Sequence, residues 1–350
     1  MAKQVIFLVH GMGPFTEGWS KGTIQPQIAA SYSTYKVAKD LPFDQLFRFE
    51  EITYNTLFER IRKRWKTDTD AVLAQLKEEG IEKGVTTEIT KASAALGADS
   101  FLSTHVLDVA LYKLPTVRER IKQHVANRIL ATLLEDPSGE IPRWSIIAHS
   151  LGTAVTHDTL HALFTQPVGG GTKTLHGKTK ANVLMMLANV SRVLEEKSVD
   201  VYRSATRPGA RPESGVCRFF INAKHEWDPV PRVKEFRPLD DWPDVETRNE
   251  GRFVPVKINA IQSKDVHAMS HYLSNPKVHG EFFRRIIPAT DLIPDEELAK
   301  ASSLFEATTP FGQFEALQEQ LKKLQDPTET GTLADVIRNG IAFFETLKQF

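Results

Sequence analysis

Four apolar runs in the chain stop at residues that could do chemistry. Val5 to Val9 leads into His10-Gly11-Met12-Gly13, and Trp144 to Ala148 leads into His149-Ser150-Leu151-Gly152. Arg218 to Ala223 leads toward His225-Glu226-Trp227-Asp228-Pro229, and Val256 to Ile261 toward Asp265-Val266-His267. A serine hydroxyl is a poor nucleophile until a neighbouring base removes its proton. A carboxylate can fix the tautomer of that base and stabilise the imidazolium that forms. Serine, aspartate and histidine at strand ends are therefore material for nucleophilic acyl transfer.

Ser150 is the first candidate. It follows an apolar strand and precedes a helical segment, so a sharp turn would lift its side chain out of the sheet. Backbone crowds such a turn two residues before and two after the serine, where Ala148 and Gly152 are both small. The helix that follows aims its positive end at the site, and the Leu151 N–H is free to meet a developing oxyanion. The competing reading is a plain helix cap, which serine also favours.

The AHSLG segment after a buried strand resembles the nucleophile elbow of the α/β-hydrolases, in the serine esterase and lipase-like branch. The departure is Ala148 where glycine is usual, a variant that lipase-like members tolerate. The resemblance implies further roles. His10-Gly11-Met12-Gly13 is similar to the His-Gly loop that supplies a second oxyanion N–H, which would come from Met12 with Gly11 beside it. Asp228, in a loop after a strand, matches the acid, with Asp241 and Asp265 as alternatives. His267 matches the base. It is followed by Tyr272-Leu273 and Asn275-Pro276, as in the base loop of lipase-like relatives, and His271 is the alternative. The order Ser150, Asp228, His267 is the order of that fold. Asp108 to Tyr112 is similar to a segment of lipase-like members related to the deacylases of lipid anchors. The resemblance covers roughly residues 4–290, lacks the strands that precede the His-Gly strand, and leaves one sheet edge to be covered or paired.

Other motifs compete. His157-Asp158-Thr159-Leu160-His161 puts two imidazoles on one helix face, as in a zinc helix. Aspartate stands where that helix carries glutamate, and no third ligand follows. Packing or solvent exposure is the expected fate of these histidines. Gly169-Gly170-Gly171-Thr172-Lys173-Thr174 has threonine where a phosphate loop requires glycine and no buried strand before it, so a flexible loop is expected. Cys217 reads as a small buried residue, and the Arg60 to Arg64 cluster as a solvated helix face.

The elements that must position these groups alternate between strand and helix, which predicts a mostly parallel sheet with helices on both faces. A second strand is expected over Phe47 to Tyr54 and another over Val183 to Ala188. Residues 56–135 carry a helical signal without a strand. Val72, Leu73 and Leu76 share one face, and Val117, Ile121, Val125 and Ile129 repeat at helical spacing behind Pro115. This predicts a helical insertion or lid. Residues 189–216 read as a loop or cap, Leu175 to Lys180 as a polar loop, and Val278 to Ile287 as a helix. A helical extension is expected over 291–350, with Phe314, Leu317, Leu321 and Leu324 in near-heptad spacing, leaving 1–290 as the hydrolase domain.

Composition bounds the partners. The 350 residues are 41% hydrophobic and 25% charged, which are globular values, and 44 basic residues balance 44 acidic ones. Zero net charge gives no support to nucleic acid as a partner. Val5 to Val9 is shorter than the ~7–15 residues of a signal-peptide core. No apolar run approaches the ~18 residues of a membrane span. A single cysteine points to a reducing compartment, and a cytoplasmic location is the expectation. The functional expectation is hydrolysis of a small-molecule or lipid ester, with no cofactor or metal. The alternatives are a binding or scaffolding module on the same fold, and an amidase or peptidase using the same side chains.

Overall fold

Strands Gln4–Val9 (β1), Trp144–His149 (β3) and Ala181–Leu187 (β4) are buried along their whole length, because each is apolar on both faces. They form the middle of a six-stranded, all-parallel sheet in the computed structural model. It describes residues 3–65, 111–136, 139–166, 179–195, 200–211, 214–232, 234–238, 251–287 and 293–308, with isolated residues elsewhere such as 108–109, 175, 242, 322 and 343. The sheet order is β2-β1-β3-β4-β5-β6, with β2 at Phe47–Ile52, β5 at Cys217–His225 and β6 at Phe253–Ile258.

The helices among the described residues are α1 (Ile24–Ser33), α2 (Phe43–Leu46), α3 (Asn55–Trp65), α4 (Pro115–Leu133), α5 (Leu151–Thr165), α6 (Met269–Ser274), α7 (Pro276–Ile286) and α8 (Asp295–Ala307). Successive strand residues point to opposite faces, so one strand serves two cores. Val5, Phe7 and Val9 join Ile121, Val125 and Ile129 of α4 and Leu151, Val155 and Leu160 of α5. Ile6 and Leu8 join Ile24 and Ile28 of α1 and Val278, Phe282 and Phe283 of α7. Burying each such side chain contributes roughly 1.5–3 kcal/mol before chain entropy is counted. The expected α/β sheet with helices on both faces is present.

The chain leaves β1 for β2 on one side and reaches β3 on the other. The strand order therefore reverses between β1 and β3, and in open parallel sheets the crevice beyond such a reversal is where ligands bind. Register brings the strand ends to one rim: Val9 pairs with Ala148, His149 with Leu187, and Leu187 with Ala223. His10, Ser150, Ala188 and Glu226 all emerge there.

Edges depart from the sequence expectations. β6 runs Phe253–Ile258 rather than Val256 to Ile261, and it contains Pro255. An edge strand tolerates a proline, because its outward N–H has no ladder partner. β2 is the other edge, pairs with β1, and ends at Ile52 rather than Tyr54. Leu175 is buried rather than part of a polar surface loop, its N–H donating to Leu163 O at 2.9 Å. α8 packs on the core through Leu298, which fills the space left by Gly280. The predictions for residues 72, 73 and 76, for 169–174 and for 314, 317, 321 and 324 lie outside the described residues. Among the described residues no helix is long and apolar enough to cross a membrane.

Candidate active site

The turn from β3 into α5 places Ser150 at φ 51° and ψ −125°, a left-handed backbone that non-glycine residues rarely adopt. Only one other described non-glycine residue has positive φ, Ala188 at the end of the next strand. Strain of this kind costs of order 1–3 kcal/mol and persists where surroundings over-determine it. Here the Ser150 N–H is held by Leu187 O at 2.9 Å, and its carbonyl accepts from Thr153 N and from Thr153 Oγ1 at 2.6 Å. Gly152 is required by crowding: a β-carbon there would lie 2.3 Å from the His10 carbonyl oxygen. The expectation of small neighbours around Ser150 has this physical basis.

His267 bridges the serine and a carboxylate. Its Nε2 lies 3.0 Å from Ser150 Oγ and its Nδ1 2.7 Å from Asp228 Oδ2. The carboxylate fixes the proton on Nδ1 and leaves Nε2 to accept from the hydroxyl. All three side chains are buried. Burial favours the neutral imidazole, but the Asp228 charge and hydrogen bond outweigh it, aided by Asp265, and the His267 pKa lies above the usual histidine value. Burial likewise raises Asp228. The His267 charge, with hydrogen bonds from His267, Tyr272 and the Val230 N–H, overcomes this and holds it below the usual carboxylate range.

The alternatives occupy other places. Asp265 Oδ1 accepts from the His267 backbone N–H at 3.1 Å and so anchors the loop that carries His267 rather than its imidazole. His271 lies against Ser263 Oγ, at 3.3 Å from Nδ1, and burial lowers its pKa to about 4. Asp241 lies outside the described residues.

The loop after β1 faces Ser150. A β-carbon on Gly11 would sit 2.9 Å from Ser150 Cβ, so only glycine lets these backbones meet. The Gly11 carbonyl accepts from His10 Nδ1 at 2.7 Å and from the Tyr54 hydroxyl at 3.3 Å. In a planar trans peptide the Met12 N–H must then point the opposite way. Leu151 opens α5, where N–H groups have no intrahelical acceptor. Met12, Ser150 and Leu151 line one pocket, with Val109, Val190, Val193, Leu194 and Val230. The Gly13 N–H reaches Asp108 Oδ2 at 3.5 Å, so Asp108 braces this loop.

Two supporting residues have hydrogen-bond partners that no local sequence signal indicates. His149 Nε2 donates to the His267 carbonyl at 2.6 Å, across 118 positions. Burial lowers its pKa to about 3, so it stays neutral and keeps the base loop against the serine strand. The Tyr272 hydroxyl donates to Asp228 Oδ2 at 2.8 Å and accepts from the His225 N–H at 3.0 Å. Phe343 sets its ring edge against His267, with centroids 6.5 Å apart.

The zinc-helix residues are committed to packing. His157 Nε2 lies 2.8 Å from Ser204 Oγ and 3.2 Å from Val201 O, and His161 Nδ1 accepts from the Ala205 N–H at 3.1 Å. Asp158 is bound by Arg118 and by the Tyr112 hydroxyl, both at 2.6 Å. Among the described residues no cluster of three or more His, Cys, Asp or Glu side chains could hold a metal ion. Cys217 is buried, as expected, and burial pushes its thiol well above the ordinary range. Arg60 is exposed, while the side chains of 62–64 lie outside the described residues. No known protein family, curated protein or solved structure matches this chain.

Proposed function

We propose that the protein is a serine hydrolase that cleaves carboxylic esters through an acyl-enzyme. The observation that carries this reading is the hydrogen-bonded run Asp228–His267–Ser150, ending on a strained serine at the point where the sheet order reverses. In this reading Ser150 Oγ attacks the ester carbonyl carbon while His267 Nε2 takes its proton. The carbonyl oxygen becomes an oxyanion held by the Met12 and Leu151 N–H groups. Collapse of the tetrahedral intermediate breaks the bond to the alcohol, which leaves with the proton from His267. Water then attacks the acyl-enzyme with His267 as base, and the carboxylic acid departs as Ser150 regains its proton. Losing one oxyanion donor typically costs ~3–4 kcal/mol of transition-state stabilisation.

The reading is consistent with the resemblance of AHSLG to a nucleophile elbow, and it assigns every step to a residue of this chain. It is tested with a fluorophosphonate probe and a panel of aryl esters on the wild-type protein and on Ser150→Ala. Covalent labelling and turnover are expected for the wild type and neither for the variant. A wild-type protein that is not labelled and hydrolyses no ester overturns the proposal. An amide turned over faster than the matching ester would transfer the same machinery to amidase chemistry.

A further inference from the structure

The loop after β1 is held from behind by aromatic side chains that the reaction steps above do not use. His10 is buried, and its ring stacks on Phe15 and on Tyr54, with centroids 4.6 and 4.2 Å away, while Trp19 stands edge-on at 5.6 Å. His10 Nδ1 donates to the Gly11 carbonyl at 2.7 Å, and Nε2 accepts from the Tyr54 N–H at 3.3 Å. One neutral tautomer satisfies both contacts, and burial keeps the ring neutral by lowering its pKa to about 4.

Tyr54 also acts through its hydroxyl. Burial raises its pKa well above the ordinary tyrosine value, so it stays a donor. It donates to the His10 carbonyl at 2.6 Å and reaches the Gly11 carbonyl at 3.3 Å. The same two side chains thus fix two successive peptide planes, His10–Gly11 and Gly11–Met12. A trans peptide sets its C=O and N–H antiparallel, so holding the Gly11 carbonyl also sets the direction of the Met12 N–H. The holders are themselves anchored. His124 of α4 donates from Nε2 to the Thr53 carbonyl at 2.9 Å. Glu51 of β2 accepts from the Gly18 and Ser20 N–H groups at 2.7 and 2.8 Å, which holds Trp19 against Phe15 with centroids 5.2 Å apart. A donor already aimed before charge develops is the kind that stabilises a transition state without reorganisation.

We propose that Tyr54, acting with His10, is a positioning residue that aims the Met12 N–H at the oxyanion. The proposal rests on the hydrolase reading above and goes beyond it by assigning residues outside the Ser150–His267–Asp228 run. Tyr54→Phe keeps the ring stack and removes only the hydroxyl. His10→Phe keeps a ring and removes the Nδ1 donor. Two quantities are compared with wild type: kcat/KM for 4-nitrophenyl acetate, and Ki for an alkyl trifluoromethyl ketone. Ser150 Oγ adds to the carbonyl carbon of that ketone, its proton passes to His267, and the ketone oxygen becomes an oxyanion in the same place as that of the ester. In Tyr54→Phe kcat/KM should fall, and Ki rise, by about 10–100-fold, since a misplacement near 1 Å can cost about 10²-fold. The pH midpoint of kcat/KM should not move, because the hydroxyl does not act through His267. Ki does not depend on how much of a preparation is folded, so a poorly folding variant still reports. Phe58→Leu alters the packing beside the Tyr54 ring, 5.9 Å away between centroids, without touching either carbonyl bond, and should lower Tm with Ki unchanged. Wild-type kcat/KM in Tyr54→Phe, or in His10→Phe if it alone folds, overturns the proposal. So does a loss of kcat/KM with Ki unchanged, or an equal rise of Ki in Phe58→Leu. A wild-type protein that hydrolyses no ester and is not labelled by a fluorophosphonate overturns the hydrolase reading, and this proposal with it.

Discussion

Ser150, His267 and Asp228 meet at the rim of the sheet, while Ser204, His157 and Asp158 meet on the flank of α5. The side-chain types are the same, and the hydrogen-bond lengths from imidazole to hydroxyl are close: 3.0 Å at the rim and 2.8 Å on the flank. The surroundings differ. Ser204 Oγ donates to Val201 O at 3.0 Å and accepts from the Thr206 N–H at 3.2 Å, so its hydrogen-bonding capacity is spent on local backbone. Its backbone does not take the positive φ that Ser150 adopts. Asp158 is held by Arg118 and Tyr112 as well as by His157, whereas Asp228 is held by His267 and Tyr272, with no cation beside them in the hydrogen-bonded run among the described residues. A serine near a histidine near an aspartate is thus a packing solution in one place and a candidate catalytic device in the other. What separates them is a pocket beside the hydroxyl and a strained turn that carries it.

The largest effect expected from this contrast is at the serines themselves. Ser150→Ala should lower kcat by up to ~10⁶-fold, as for a lost nucleophile, while Ser204→Ala leaves kcat/KM unchanged. Loss of ester turnover in Ser204→Ala with Ser150→Ala still active would reverse the assignment. Asp228→Asn should reduce kcat by ~10⁴-fold by favouring the wrong imidazole tautomer. Steady-state assays of Asp228→Asn against Asp158→Asn decide which carboxylate acts on the chemistry.

The flank should matter for stability instead. Arg118→Ala leaves Asp158 buried without its main counter-charge and should cost about 3–5 kcal/mol in a denaturant melt, with turnover per folded molecule retained. Burial works to raise the Asp158 pKa, but His157, Arg118 and Tyr112 together hold it below the usual range. That contribution is present above the unfolded carboxylate pKa of ~3.9 and lost as pH falls through the folded value. An Arg118→Ala protein as stable as wild type would show that the flank is not what holds α4 to α5.

The subtlest comparison is in pH dependence. His267 must be neutral to accept the serine proton, and its pKa lies above the usual value because Asp228 outweighs burial. The kcat/KM profile should therefore rise with pH through a midpoint above ~6.5. Tyr272→Phe removes a second donor from Asp228 Oδ2, leaves its charge less compensated, and should move that midpoint further up. A midpoint below 6.5, or a downward move in Tyr272→Phe, would break the account of how the acid tunes the base.

Much of the central sheet was legible in the residues. The runs around Ile6, Ile147 and Met185 are apolar on both faces because helices cover both faces there. The edges were less legible. At β6 Phe253 and Val254 are only partly buried and Pro255 interrupts the apolar run, so the apolar signal of Val256 to Ile261 sets in three residues after the strand begins. His267 was favoured over His271 by closeness to a strand end and by resemblance. Geometry adds the 3.0 Å approach to Ser150, which no spacing rule contains. The roles of His149 and Tyr272 are not legible from their neighbours, since their partners lie 118 and 44 positions away.

Local order along the chain determined the parallel α/β sheet and the tight turn at Ser150. Both follow from strand polarity, helix periodicity and the small residues beside the serine, all of which act over a few residues, whereas the demand for glycine at 11 and 152 comes from the approach of these two turns to each other. Only the tertiary structure decided which histidine reaches the serine, which aspartate reaches that histidine, and which apolar residues face the nucleophile. Those choices depend on where loops after different strands arrive on a common rim. That arrival is set by strand register and by side-chain-to-backbone bonds such as that of His149, which join positions the chain order keeps far apart.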